Sequence, residues 1–334
     1  LKVTAQLYGQ FLLSSQINYR ATYLADHFEG ITHDNVQYFL KVTRVAPRQI
    51  WQQVRHQIQL DEHGYILFDD TVLNKEHSHK IELVRRHYSG NAHGIIKGIG
   101  VVNCVYFNPT TNQFWLIDYR IFNPDEDAKS KLDHVLDMLT QLAPRQISYR
   151  TVLMDSWYAV TDLFKWLMAH DKLFYCPIKS NRKVDDSGGN EPYQPVSYLS
   201  WSAQEVQQGK LVKVHKMPQA TYLKLFRVLV STHRTDYIVT NDVAQTETSA
   251  AEAQSGIRWT VEQFHREDKQ ITGLECCQCR LARSQRNHIG LAALTWLRFK
   301  QVAYKTKRTV YQLKQGLLDD YLRQELVKPS LAFA

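Results

Sequence analysis

The chain has 334 residues, of which 44% are hydrophobic, with five cysteines and a formal charge of +8. That length buries a large core in two or three domains, and the composition excludes a disordered chain. The longest apolar runs, such as Leu291 to Leu297 with its Thr295, are far too short to span a bilayer. No charged start followed by an apolar stretch marks export. Three of the five cysteines crowd at Cys276, Cys277 and Cys279 instead of forming a disulfide framework, so a reduced, cytoplasmic protein is expected. From Arg258 onward 14 Lys and Arg face 7 Asp and Glu. Such an asymmetry suits a surface for phosphates, and equally a solvated basic tail.

Residues 1–60 read as short helices. In "YRATYLADHFEGITHDNVQYFLK", Leu24 and Phe28 lie four apart on one helix, Gly30 supplies a turn, and Thr32 caps a second helix. That second helix buries Val36, Phe39 and Leu40 and presents His33, Asn35, Gln37 and Tyr38. Two short helices around a glycine turn match a helix-turn-helix, whose second helix enters the major groove of DNA. A three-helix packing module without DNA contacts fits the same pattern.

From Gly64 the pattern changes to strands. "YILFDD" is an apolar run ending in acids; "GIGVVNCVYFN" and "QFWLIDYRIF", joined by "NPTTN", form a hairpin. "DEDAKSKLDHVLDMLTQL" is a helix with acids in its first turn. "RTVLMDS", "WYAVTDLFKWLMAH" and "KLFYCPIKS" follow as strand, helix and strand. This order predicts an α/β catalytic core of ribonuclease-H-like type, with a mixed sheet, over residues 61–181. Residues 182–245 begin with a Gly-, Pro- and Asn-rich stretch and continue in "KLVKVHKM", "YLKLFRVLVST" and "DYIVTN", a β-rich insertion. The core resumes over 246–285, and residues 286–334 form a helical C-terminal region.

The segment "RWTVEQFHREDKQ" places Arg258, Glu262, His265, Arg266 and Lys269 within one quadrant of a helix, with Ile257, Val261, Phe264 and Ile271 roughly opposite. One reading is a surface helix laced by ion pairs four residues apart, each contributing about 0.2–0.5 kcal/mol. The other is a carboxylate ringed by cations, as a metal site facing a polyanion needs. Asp70 ends the first core strand with Asp69 beside it, and Asp155 ends the fourth. Successive strand residues face opposite sides, so only one of Asp69 and Asp70 faces a shared site. Three carboxylates, Asp70, Asp155 and Glu262, without His or Cys suit Mg²⁺ or Mn²⁺. Two such ions activate the attacking oxygen and stabilise the leaving one. The spacing in "CCQC" fits none of the familiar zinc patterns.

These motifs together resemble the DDE transposases of bacterial insertion sequences over about residues 15–305. They are most similar to the branch with a Tyr-Arg-Glu-Lys signature, which includes the families numbered four and seven hundred and one. Arg258, Glu262 and Lys269 keep the signature spacing, while Ser255 stands at the Tyr position. "FDDT" resembles the first-aspartate motif and selects Asp70; "LMDSWYA" resembles the second. The resemblance implies hydrolysis of element ends followed by attack of the freed 3′-hydroxyls on target DNA. It implies two metal ions held by Asp70, Asp155 and Glu262, and a homodimer in the DNA complex. Arg258 and Lys269 would steer phosphates, with His265 and Arg266 as secondary contacts. Tyr237 would stack on an unpaired base. A nuclease or resolvase without strand transfer, or a silent DNA-binding regulator, remains as the alternative.

Overall fold

The computed structural model describes residues 2–78, 80–90, 94–232 and 234–328. Four short helices open the chain: α1 (Ala5–Ser14), α2 (Ala21–Asp26), α3 (His33–Val42) and α4 (Arg48–Val54). The Thr4 hydroxyl caps α1 by accepting from the Leu7 N–H at 3.1 Å. Thr32 caps α3 as its sequence predicts, in a reciprocal box with Asn35. Gly30 makes the turn between α2 and α3 with φ of 77°, a left-handed value costly for any residue with a Cβ. The helices bury Leu12, Leu24, Val36 and Leu40 in the same apolar cluster that continues under the sheet.

The sheet is built from β1 (Tyr65–Asn74), β2 (Arg85–Ser89), β3 (Gly94–Asn108), β4 (Gln113–Ile121), β5 (Thr151–Met154) and β6 (Leu173–Ile178). It is extended by β7 (Lys183–Asp185), β8 (Gln194–Pro195), β9 (Lys210–Val214), β10 (Leu223–Ser231) and β11 (Arg234–Thr240). Its order is β2-β3-β1-β5-β6-β11-β10-β9-β7-β8, with β4 also paired to β3. β1 runs antiparallel to β3 but parallel to β5, and β5 parallel to β6. The remaining pairings are antiparallel, so the sheet is mixed. Beyond the Tyr65–Thr151 pair, β1 and β5 are apolar where they meet, Ile66 to Phe68 beside Val152 to Met154, because both their faces are covered.

Between the strands lie α5 (Pro124–Asp127), α6 (Lys131–Thr140), α7 (Thr161–Ala169) and α8 (Ala203–Gln208). The predicted helix from Asp125 is interrupted by Ala128, which adopts φ of 55° and ends α5; Ser130 then caps α6. After the insertion come α9 (Thr248–Gly256), α10 (Trp259–Thr272), α11 (Ala282–Thr306), α12 (Val310–Gly316) and α13 (Asp319–Val327). The last predicted helix is thus two, parted at Leu317 and Leu318. α10 ends at Gly273, whose φ of 62° permits the left-handed cap and whose missing Cβ leaves room for the Tyr19 ring.

α11 is the second central element. It packs against α1, α3, α4, α10, α12 and β4. A buried ion pair clamps it to α10: Lys300 Nζ lies 3.0 Å from the Glu267 carboxylate, to which Trp296 Nε1 also donates. Among the described residues no helix is long and apolar enough to cross a membrane.

Candidate active site

Strand register decides which acid faces which helix. On β1, Asp69 lies opposite Asn103 of β3, Asp70 opposite Val102 and Thr71 opposite Val101. Paired residues of antiparallel strands share a face. α10 covers the face of Asp69 and Thr71: His265 Nε2 is 2.9 Å from Asn103 Nδ2, and Phe264, His265 and Asp268 close over Thr71 and Val101. Glu262 sits one turn before His265 on this helix. The Asp69 carboxyl is therefore the β1 acid directed toward Glu262.

Electrostatics agree with that placement. Burial foremost, with the negative charges of Asp70, Asp155 and Glu262, pushes the Asp69 carboxyl up to about 8 against a hydrogen bond from the Asp70 N–H. Burial withholds solvation from the charged form, and neighbouring carboxylates repel it.

Asp70 points to the other face. There it pairs with Lys131 Nζ at the start of α6 and accepts from Tyr158 Oη at 2.9 Å. Tyr158 ends the single 3₁₀ turn, Ser156–Tyr158, that Asp155 begins, so Asp70 ties down the segment carrying Asp155. The sequence motif points to Asp70 as the site acid; on β1 it is Asp69 that shares the α10 face, while Asp70 meets Lys131 and Tyr158.

Asp155 follows β5 in extended conformation and caps nothing. Its Oδ1 lies 3.5 Å from Arg258 Nη1, and its side chain is 40% exposed, open to a ligand. Arg258 is the residue before α10, and its guanidinium also lies 4.7 Å from the Trp259 ring. Glu262 is half-buried in the first turn of α10 and has no hydrogen-bond or ion-pair partner among the described residues. Lys269 reaches Glu275 at 2.7 Å and the Val72 carbonyl at 3.2 Å; Arg266 projects into solvent.

Two residues expected at a DNA surface lie inside. His265 is buried against Asn103, and burial with the Lys269 charge lowers it to about 3, so the ring is neutral and holds α10 to β3. Tyr237 is 7% exposed in the middle of β11, between Arg227 and Ile178. On α3, His33, Asn35, Gln37 and Tyr38 are all exposed, but Asn35 is occupied by the helix cap and His33 lies 3.2 Å from Asp34. Lys131 and Tyr158, the partners of Asp70, are contacts that sequence patterns did not select.

The family model of the transposase DDE domain matches residues 61–298. The chain belongs to this family. A comparison with curated proteins finds no match. The matched span of this DDE transposase starts just before β1 and ends inside α11, so it holds Asp69, Asp155 and Glu262. α1–α4, α12 and α13 lie outside it.

Among the described residues no group of three or more His, Cys, Asp and Glu side chains is placed to hold a metal ion. The donor chemistry nevertheless fits a hard divalent cation. Asp69, Asp155 and Glu262 offer only oxygen, Glu262 is unpartnered, and the mutual repulsion felt at Asp69 is what a bound cation would relieve.

Proposed function

We propose that this protein is a DNA transposase that binds the ends of an insertion sequence, hydrolyses the phosphodiester there and joins the 3′-hydroxyl ends to target DNA. The observation that carries the reading is the match of the transposase DDE domain over residues 61–298, a span that contains Asp69 on the α10 face of β1, Asp155 beside Arg258 and the unpartnered Glu262 of α10. The strand order β4-β3-β1-β5-β6, with β1 parallel to β5, supports a ribonuclease-H-like core. Arg258, Glu262 and Lys269 support the Tyr-Arg-Glu-Lys branch; Ser255, buried at the end of α9, replaces its tyrosine.

Asp69, Asp155 and Glu262 would hold Mg²⁺ or Mn²⁺, two ions in the full site. Bound there, the ions supply Lewis-acid charge neutralisation for displacement at phosphorus. The chain's own groups do the rest. Asp70, through Tyr158, fixes the turn that carries Asp155. Arg258 exchanges part of its contact with Asp155 for a phosphate oxygen, and its planar fork orients the scissile group. Arg266 and Lys269 extend the cationic track along α10. Gln37, Tyr38 and His33 face outward to read an element end, and two copies of the chain would each bring one end.

Labelled end DNA, a target plasmid and Mg²⁺ in one incubation test this reading. A transposase joins label to plasmid. Cutting without joining would make it a nuclease, and binding alone a regulator.

A further inference from the structure

An open cleft of about 450 Å³ begins at Val160, just beyond the 3₁₀ turn that follows Asp155. Three separate pieces of chain line it. Val160 and Thr161 come from the start of α7, Asn181, Arg182 and Lys183 from the β6–β7 turn, and His215 and Lys216 from the turn after β9. Cys176 on β6 has its Sγ 3.7 Å from the Asp155 carbonyl, and the same strand runs on into the turn that carries Asn181 and Arg182, so the cleft adjoins the Asp155 segment.

The cations of this cleft differ from those of the site. Lys131, Arg258 and Lys269 each meet a carboxylate. Arg182, Lys183 and Lys216 form no ion pair among the described residues, and Arg182 Nε is buried without any hydrogen-bond partner. No side chain caps α7, so its first N–H groups are left open where Val160 and Thr161 form the wall. The nearby acid, Asp162, lies 3.4 Å from Lys165. Lys216 holds a left-handed backbone with φ of 70°, a conformation glycine adopts without cost.

We propose that this cleft is a phosphate pocket for the DNA backbone within a few nucleotides of the bond being cut, an assignment that rests on the transposase reading above. A concave site with uncompensated cations and open helix N–H groups binds a phosphodiester through charge and fixed donors. Its lining on α7, the β6–β7 turn and the turn after β9 offers a backbone contact separate from that of Arg258 beside Asp155. Two contacts flanking the carboxylates would set the register of the scissile phosphate.

Binding of a fluorescein-labelled random-sequence duplex, followed by anisotropy over a range of salt concentrations, tests the assignment. The variants are Lys216→Gly, which removes the charge and relieves the backbone, and Arg182→Gln with Lys183→Gln. Thermal melts check that each is folded. The expected result is a several-fold loss of affinity in each variant, with the salt slope of log K falling by about 0.7–0.9 per lost phosphate contact. A wild-type protein that binds DNA while both folded variants bind with unchanged affinity and slope overturns the pocket alone. Wild-type protein that binds no DNA at all overturns the transposase reading with it. An ATP arm separates backbone from free nucleotide. ATP that raises the wild-type melt and not the variant melts, with DNA binding unaffected, would also overturn the assignment.

Discussion

Replacing Asp69 by Asn should stabilise the metal-free protein while destroying its activity. The carboxyl of Asp69 rises from an ordinary 3.8 to about 8 in the folded chain. Folding therefore takes up a proton that the unfolded chain has already released, and stability falls as pH rises from about 4 to about 8. At neutral pH about three units separate the ordinary value from the solution, a ceiling near 4 kcal/mol. Solvent contact and relaxation of Asp155 and Glu262 reduce this to about 1–3 kcal/mol. Asn keeps the shape and removes the titration. The Asp69→Asn advantage should thus be small at about pH 5 and reach its full size by about pH 7.5. Thermal melts at both pH values, without divalent metal, read it directly. Adding Mg²⁺ should raise the wild-type melt more than that of the variant, because only the folded wild type holds all three acids. Asp70→Asn should do the opposite, losing about 1–3 kcal/mol as Lys131 loses its countercharge and one of the two acceptor oxygens becomes an amide NH2. If Asp69→Asn tracks the wild type across this pH range, or if Asp70→Asn is the variant stabilised, the assignment of faces is wrong.

Lys300→Met should cost about 3–5 kcal/mol by stranding the Glu267 carboxylate, and adding Glu267→Gln should recover part of it; urea melts of both decide. His265→Leu should leave DNA affinity unchanged and cost about 1–3 kcal/mol through the unpaired Asn103 amide; a fall in affinity of the folded variant on gel shifts would return His265 to the DNA surface. Gln37→Ala with Tyr38→Ala should reduce preference for end DNA over random DNA by about 1–3 kcal/mol per lost base contact, with the melt unchanged; equal preference in a competition assay would remove α3 as the reading helix.

The family and the approximate places of its acids were legible in the sequence because each sits at the end of an apolar strand or inside a spaced motif. Which of Asp69 and Asp70 shares the face of α10 was not, because it depends on β1 pairing with β3 and on which face α10 covers. Sequence spacing shows only that the two acids diverge. The helical wheel likewise assigned His265 to a charged quadrant, on the premise of one buried face. α10 is gripped by β1 and β3 on one side and by α1, α11 and α12 on others, so His265, Glu267 and Asp268 are buried with partners. Lys131 and Tyr158 meet Asp70 only through tertiary packing, across 61 and 88 residues of sequence. β2 escaped notice because "RRHYS" has no apolar alternation; it is held by backbone pairing to the N-terminal part of β3.

The most direct test of the central claim is single-turnover cleavage of plasmid DNA carrying the gene with its flanking sequence, comparing wild type with Glu262→Gln in Mg²⁺. Glu262 has no structural partner, so the variant should fold, melt as the wild type does and bind DNA at least as well. It should not cut, because the amide removes the charge that a hard cation requires. A folded Glu262→Gln protein that cleaves at the wild-type rate would contradict the assignment of the carboxylate cluster as the catalytic centre.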